Sequence, residues 1–206
     1  MDLPLATLLG FALTSLIIEL TPGPNMAYLA ILTLGEGRRA GFAAVGGIAL
    51  GLATIGMVAA FGFDALALGS PAVFQVMRWA GVVYLLWLAW EDWRKTDSPV
   101  APAMAESRGR YFVRGLVTNM LNPKAGIFYI AVLPNFLDPL RPAVSQAVVL
   151  TLLFVTIATV IHALIVTLAG AVLPLLQDQS RKRAIRRGLS LALVAVAVWL
   201  AWSTRG

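Results

Sequence analysis

Six stretches of this chain are apolar almost without interruption. They run from Leu3 to Leu34, Phe42 to Phe63, Val73 to Trp93, Phe112 to Leu133, Val144 to Leu173 and Leu189 to Trp202. Each is close to the ~20 residues a helix needs to cross the hydrocarbon of a bilayer. The last is short and the fifth is long. A lipid-facing barrel would alternate apolar and polar positions, and these runs do not. The pattern predicts an all-α polytopic membrane protein with six transmembrane helices. Trp79, Trp87, Trp90, Trp93, Trp199 and Trp202 fall mostly near the ends of the runs, where interfacial aromatics belong. The only extended polar stretch, residues 94–111, holds Ser98, Pro99, Pro102 and Ser107 and reads as a cytoplasmic linker. It divides one membrane domain into three-helix units at 1–93 and 112–206. An odd number of spans per unit inserts the two in opposite orientations, the arrangement of inverted-repeat transporters.

Two of the runs are broken. Thr21-Pro22-Gly23-Pro24-Asn25 interrupts the first. Pro22 and Pro24 lack an N–H, and their rings crowd the carbonyls of Ile18 and Leu20 one turn earlier. Asn119, Asn122, Pro123 and Lys124 interrupt the fourth, and Pro123 should free the carbonyl of Asn119. Pro123 lies about ten residues from either end of its run, which at 1.5 Å per residue is near the bilayer midplane. Irregular backbone at that depth persists only when buried in protein or lining a cavity. A packed proline kink satisfies that condition, and so does a binding site. Paired interruptions half a chain apart point to the site of a transporter.

The chemistry available at these breaks suits a small zwitterion. The N–H groups of Gly23, Asn25 and Met26 open a helix and favour a carboxylate. The carbonyls of Ile18 and Leu20 favour an ammonium, and Asn25, Asn119 and Asn122 both donate and accept. Glu19 and Lys124 are ionisable residues at a depth where charge is costly, so they face the protein interior. They either pair with each other or serve the substrate, Lys124 at its carboxylate and Glu19 at its ammonium. Glu19 is also a candidate for proton coupling, since burial disfavours the ionised carboxylate. The single histidine, His162, is a second coupling candidate, against the commoner role of a packing residue. Gly47 and Gly51 make a small-xxx-small step in the second run, which implies close helix packing within or between protomers.

Composition narrows the class. The 206 residues are 59% hydrophobic and 13% charged, with a mean hydropathy of +0.83, far from the make-up of a soluble domain. The net charge of +6 does not point to nucleic acid. The basic residues cluster as Arg38 and Arg39, then Arg94, Lys95, Arg108, Arg110 and Arg114, then Arg181, Lys182, Arg183, Arg186 and Arg187. All three clusters obey one topology, with the first, third and fifth loops cytoplasmic and both termini outside. Cysteine is absent, which excludes disulfides, thiolate metal sites and thiol carriage. Asp2 stands where a signal peptide would be basic, so residues from 3 onward read as the first span. No H-E-x-x-H or G-x-S-x-G motif is present, so an enzyme is not expected, nor any cofactor or resident metal.

Thr21-Pro22-Gly23-Pro24-Asn25, Gly37-Arg38-Arg39-Ala40-Gly41, Gly81-Val82-Val83-Tyr84-Leu85 and Asn122-Pro123-Lys124-Ala125, in this order and spacing, resemble the lysine exporter (LysE/RhtB-type) amino-acid efflux family. The resemblance runs along most of the chain. It implies a bacterial inner-membrane exporter that moves amino acids or close analogues outward on the proton motive force. It also implies that the proline-broken segments of the first and fourth spans form the translocation site. Its expected partners are the small-molecule substrate, protons and the bilayer, with a homo-oligomer as a further option. The alternatives are an exporter of another small solute or metal cation, or a structural membrane subunit.

Overall fold

The computed structural model describes residues 3–61, 71–97 and 108–172, with isolated helical positions between 187 and 202. Every regular element among them is helical. In chain order they are α1 (Leu5–Leu20), α2 (Pro24–Glu36), α3 (Arg38–Ala60), α4 (Pro71–Asp97), α5 (Arg108–Met120), α6 (Pro123–Ile127) and α7 (Ala143–Val172). A π-helical turn (Phe128–Val132) and a 3-10 turn (Leu133–Phe136) continue α6. α3 and α7 are long and apolar enough to cross a membrane. The pairs α1–α2 and α5–α6 qualify as well if each bent pair is one span. These four candidates coincide with the first, second, fourth and fifth apolar runs. The third run lies inside α4, and the sixth falls mostly outside the described residues.

The breaks come where proline dictates. α1 stops at Leu20, Thr21 and Gly23 are extended, and Pro24 takes the first position of α2, where its missing N–H costs nothing. The chain bends there by 56°. At the second break Pro123 opens α6 after extended Asn122, and the bend is 53°. Of the stretch read as a linker, residues 94–97 belong to α4 and 108–111 to α5.

α3 is the central helix, packed against both α5 and α7. Lipid offers no hydrophobic gain for helix association, so close backbone approach has to supply it. A Cβ on Gly47 would run into the Phe112 carbonyl oxygen, and one on Gly115 into that of Ala44. The Gly47 and Gly51 step therefore packs within the protomer, against α5. Gly37, the only positive-φ residue described (φ 92°), makes the tight turn from α2 into α3. Aromatic rings fill the opposite flank: Phe128 stacks on Phe154 at 3.7 Å between centroids, and Phe11 meets Phe128 and Phe136 edge-on. Leu5, Leu9, Leu13, Leu16, Ile17 and Leu20 form an exposed stripe at helical spacing on α1, as a lipid-facing surface requires. Trp79, Trp87, Trp90, Trp93 and Trp202 are likewise exposed.

Candidate functional site

The two breaks, about a hundred residues apart in sequence, meet in space. The Lys124 ammonium donates to the Thr21 carbonyl at 2.9 Å, and Asn25 Nδ2 donates to Asn119 Oδ1 at 2.9 Å. The Lys124 stem also lies along Gly23, where a Cβ would sit 3.4 Å from Cδ. These contacts frame a small cavity with room for about one water molecule. Its polar wall is Glu19, Asn25, Asn122, Lys124 and His162. Gly23, Met26, Leu52 and Ala125 complete it.

Each break contributes differently. Asn122 caps α6, its Oδ1 accepting the Lys124 backbone N–H at 3.1 Å. That bond holds the lysine backbone rigid and aims its side chain at Thr21. α2 has no such side-chain cap: its N-cap is Gly23, and its first ladder bond is Ala27 N–H to the Gly23 carbonyl. The N–H groups of Asn25 and Met26 are left outside that ladder, on two residues that line the cavity. An acidic ligand group can be received there.

The carbonyls behave otherwise than proline stereochemistry alone suggests. The Ile18 carbonyl accepts the Thr21 N–H at 3.1 Å, and the Asn119 carbonyl accepts the Asn122 N–H at 2.9 Å. Both turns close on themselves, so neither oxygen waits for a ligand. The carbonyl that does take a cation is Thr21's, and its cation is Lys124. The carboxylate of the site is Glu19. That carboxylate is buried and stands 3.5 Å from His162 Nε2. Glu19 and Lys124 lie within electrostatic reach of each other without a direct ion pair among the described contacts.

Of the residues expected at the site, Glu19, Gly23, Asn25, Asn122, Lys124 and His162 line the cavity, and Thr21 and Asn119 bond to Lys124 and Asn25 of that lining. Gly23, Pro24, Asn25, Asn119, Asn122 and Pro123 are buried, Lys124 is half-buried, and Thr21 and Pro22 are exposed. Glu19 and His162, the two coupling candidates, are in contact. His162, 1% exposed, reaches the polar wall from α7. Leu52 was not expected, and the side chains of Met26 and Ala125 were not singled out. They are apolar residues inside apolar runs, and only the fold distinguishes them from neighbours that face lipid.

Gly51 supports the site from behind. A Cβ there would come 2.7 Å from Asn119 Nδ2. The absence of a side chain at 51 is what lets Asn119 lie flat against α3 and reach Asn25.

A helical membrane protein whose two broken spans converge on a polar cavity has the build of a solute translocator. The chain belongs to the LysE type translocator family, whose model matches residues 16–204. It is 27% identical over 194 residues to the homoserine/homoserine lactone efflux protein of Salmonella typhimurium, covering 93% of this chain and 94% of that one. It is 34% identical over 125 residues, 59% of each chain, to the leucine efflux protein of an Enterobacter species. An uncharacterised membrane protein of Vibrio cholerae is 30% identical over 155 residues, 74% of this chain and 76% of that one. No solved structure matches the chain significantly. Two of these relatives are named as efflux proteins, and the chain is a translocator of this family and not an enzyme.

Proposed function

We propose that this protein is a proton-coupled secondary-active exporter of amino acids or close analogues across the bacterial inner membrane, working by alternating access between its two three-helix units. The observation that carries this reading is the junction of the two breaks around the cavity. The substrate carboxylate binds the open start of α2 and the Lys124 ammonium. The substrate ammonium binds Glu19. Proton loading of Glu19, beside His162, then competes with the substrate ammonium for one carboxylate, which is how an inward proton can drive an outward solute. The matched bends of 56° and 53° support the inverted repeat.

Homoserine and leucine, named in the relatives, are the first substrates to test. Cells that express the protein should tolerate a raised concentration of at least one toxic amino acid or analogue in a panel built around these two. A panel with no protected member would defeat the reading.

Rocking of one unit on the other requires ties that break. By the distribution of basic residues, the ends of α2, α4 and α7 and the starts of α3 and α5 face the cytoplasm. Three polar ties join the halves there. Arg114 Nη2 reaches both oxygens of Glu91 at 2.7 and 2.8 Å, with Arg110 on the same carboxylate at 2.7 Å. Tyr111 donates to Glu36 at 3.2 Å, and Arg38 donates to the Thr167 carbonyl at 3.0 Å. Arg114 is 6% exposed, so it is a buried partner of Glu91 and not the loop charge its sequence position suggested. Glu91→Gln should weaken this end by about 1.5–3 kcal/mol, the worth of hydrogen bonds to a charged group. Thermal unfolding in detergent should then fall by roughly 3–10 °C, and the resting state should shift toward cytoplasmic access. An unchanged melting temperature would show that the tie contributes little.

A further inference from the structure

Seven threonines in this bundle, at 14, 21, 54, 118, 156, 159 and 167, spend their hydroxyl on the carbonyl one turn earlier. That is the ordinary way for a helix in lipid to hide a hydroxyl. Ser15 and Thr151 do not do so. Each is fully buried, and neither Oγ has a hydrogen-bond partner among the described residues. The Tyr129 hydroxyl, 1% exposed, is in the same condition, and so are both ring nitrogens of His162.

These groups are not scattered. Ser15 lies one turn before Glu19 on the buried face of α1. Tyr129 is within electrostatic reach of the Glu19 carboxylate. Tyr129 and Thr151 converge on Gly56 of α3: a Cβ there would overlap the Thr151 methyl and come 2.7 Å from Tyr129 Cζ, the carbon that bears the hydroxyl. Thr151 precedes His162 by eleven residues, roughly 16 Å along α7. The row therefore leads from the Glu19–His162 pair toward the end where α1 and α7 begin, opposite the cytoplasmic ties. On the other side of the pair stands Thr33, also buried with an unpartnered hydroxyl, beside Val166 one turn past His162.

A buried hydroxyl left without a partner costs about 1–3 kcal/mol, and native proteins rarely keep several together unless ordered water satisfies them. We infer that Ser15, Tyr129 and Thr151 hold a short file of ordered water that carries the coupling proton between the outer side and Glu19. This inference rests on the proton-coupled reading of the site. In each transfer one O–H bond breaks as the next forms, and a hydroxyl that accepts a proton on one side releases its own on the other. The file ends with the proton on the Glu19 carboxylate, and no electrons change hands. The ionisable groups that face Glu19 are His162 from α7, Lys124 from α6 and Tyr129 from the π-helical turn. Gly56 keeps the file open by leaving room for both hydroxyl carriers.

The test uses the full chain in proteoliposomes with labelled homoserine and leucine as probes. Exchange across a membrane without a proton gradient needs the binding site and the conformational change but no net proton movement. Net transport driven by an imposed pH gradient needs both and the proton route. Tyr129→Phe and Thr151→Val keep shape and remove only hydroxyls. Each should leave exchange within about twofold of wild type and slow gradient-driven transport by about tenfold, the scale of one lost hydrogen bond. Gly56→Ala should act in the same direction. Equal losses in both assays, or no loss in either, would overturn the water file. Wild-type protein that exchanges but ignores the pH gradient would overturn proton coupling, and with it the file. Wild-type protein that exchanges neither probe would instead count against the transport site itself.

Discussion

Lys124→Ala is expected to abolish export while leaving the protein in the membrane at its normal level. The ammonium links the second break to the first through the Thr21 carbonyl at 2.9 Å, beside the Asn25–Asn119 bond. It is also the cation nearest the open start of α2. Without it the cavity keeps the Glu19 carboxylate and loses the charge that balances it. A hydrogen bond to a charged group is worth about 1.5–3 kcal/mol, so substrate occupancy alone should fall by about 10- to 100-fold. Lys124→Arg keeps the charge, but its planar fork replaces a compact point charge beside Gly23, so only partial export should return. Asn25→Ala should cost less than Lys124→Ala, since it removes a neutral bond to Asn119. The measurement is export of the best substrate from loaded cells, normalised to the amount of protein in the membrane. Normal export by both alanine variants would defeat the site.

Gly47→Leu, and equally Gly115→Leu, should prevent the bundle from forming at all. At these two glycines α3 and α5 approach backbone to backbone, and even a Cβ would meet a carbonyl oxygen of the facing helix. Carbonyl oxygens cannot rotate aside as a side-chain tip can. The helices would have to separate, and in lipid nothing but close packing draws them together again. Overpacking of a tight core typically costs about 1–3 kcal/mol and sometimes more, a large share of the ~5–15 kcal/mol that holds a typical domain. The expected result is loss of monodisperse protein after detergent extraction. Gly46→Ala is the control, because a Cβ at 46 makes ordinary contact, 3.4 Å, with the Phe112 ring. Gly51→Ala falls between them. It should leave the fold intact and reduce export, since its Cβ would push Asn119 away from Asn25.

The contrast between these glycines shows how much of the molecule could be read in advance. Gly47 and Gly51 are the same motif in sequence, four residues apart. One meets backbone and holds the fold together; the other meets a site asparagine. Spacing announces that a helix face is small, but it does not name what lies opposite. Pro22 and Pro123 gave the positions of both breaks because a missing N–H is a property of the residue itself. The carbonyls they were expected to free are another matter. Ile18 and Asn119 lost their helical donors and found new ones within the same turn.

His162 and Arg114 show the same division. Each is a polar residue in an apolar or loop-like setting, with nothing beside it in sequence to explain it. One is placed against Glu19 by α7, the other against Glu91 of α4 by α5. Ser15, Tyr129 and Thr151 were not noticed at all, because a lone hydroxyl in a membrane helix ordinarily bonds its own backbone. Only the packed structure reveals that these three do not.

The sequence by itself determined that the chain is a bundle of membrane-length helices, where two of them break, and which charged and amide side chains stand at the breaks. These follow from local rules: lipid forces the backbone into helices, and proline stops a helix wherever it occurs. The tertiary structure alone decided that Lys124 reaches Thr21 across 103 residues and that Asn25 meets Asn119 across 94. It also decided that Glu19 lies beside His162. Partners so distant along the chain are chosen by how helix faces pack, and that choice depends on the fit of all the helices together.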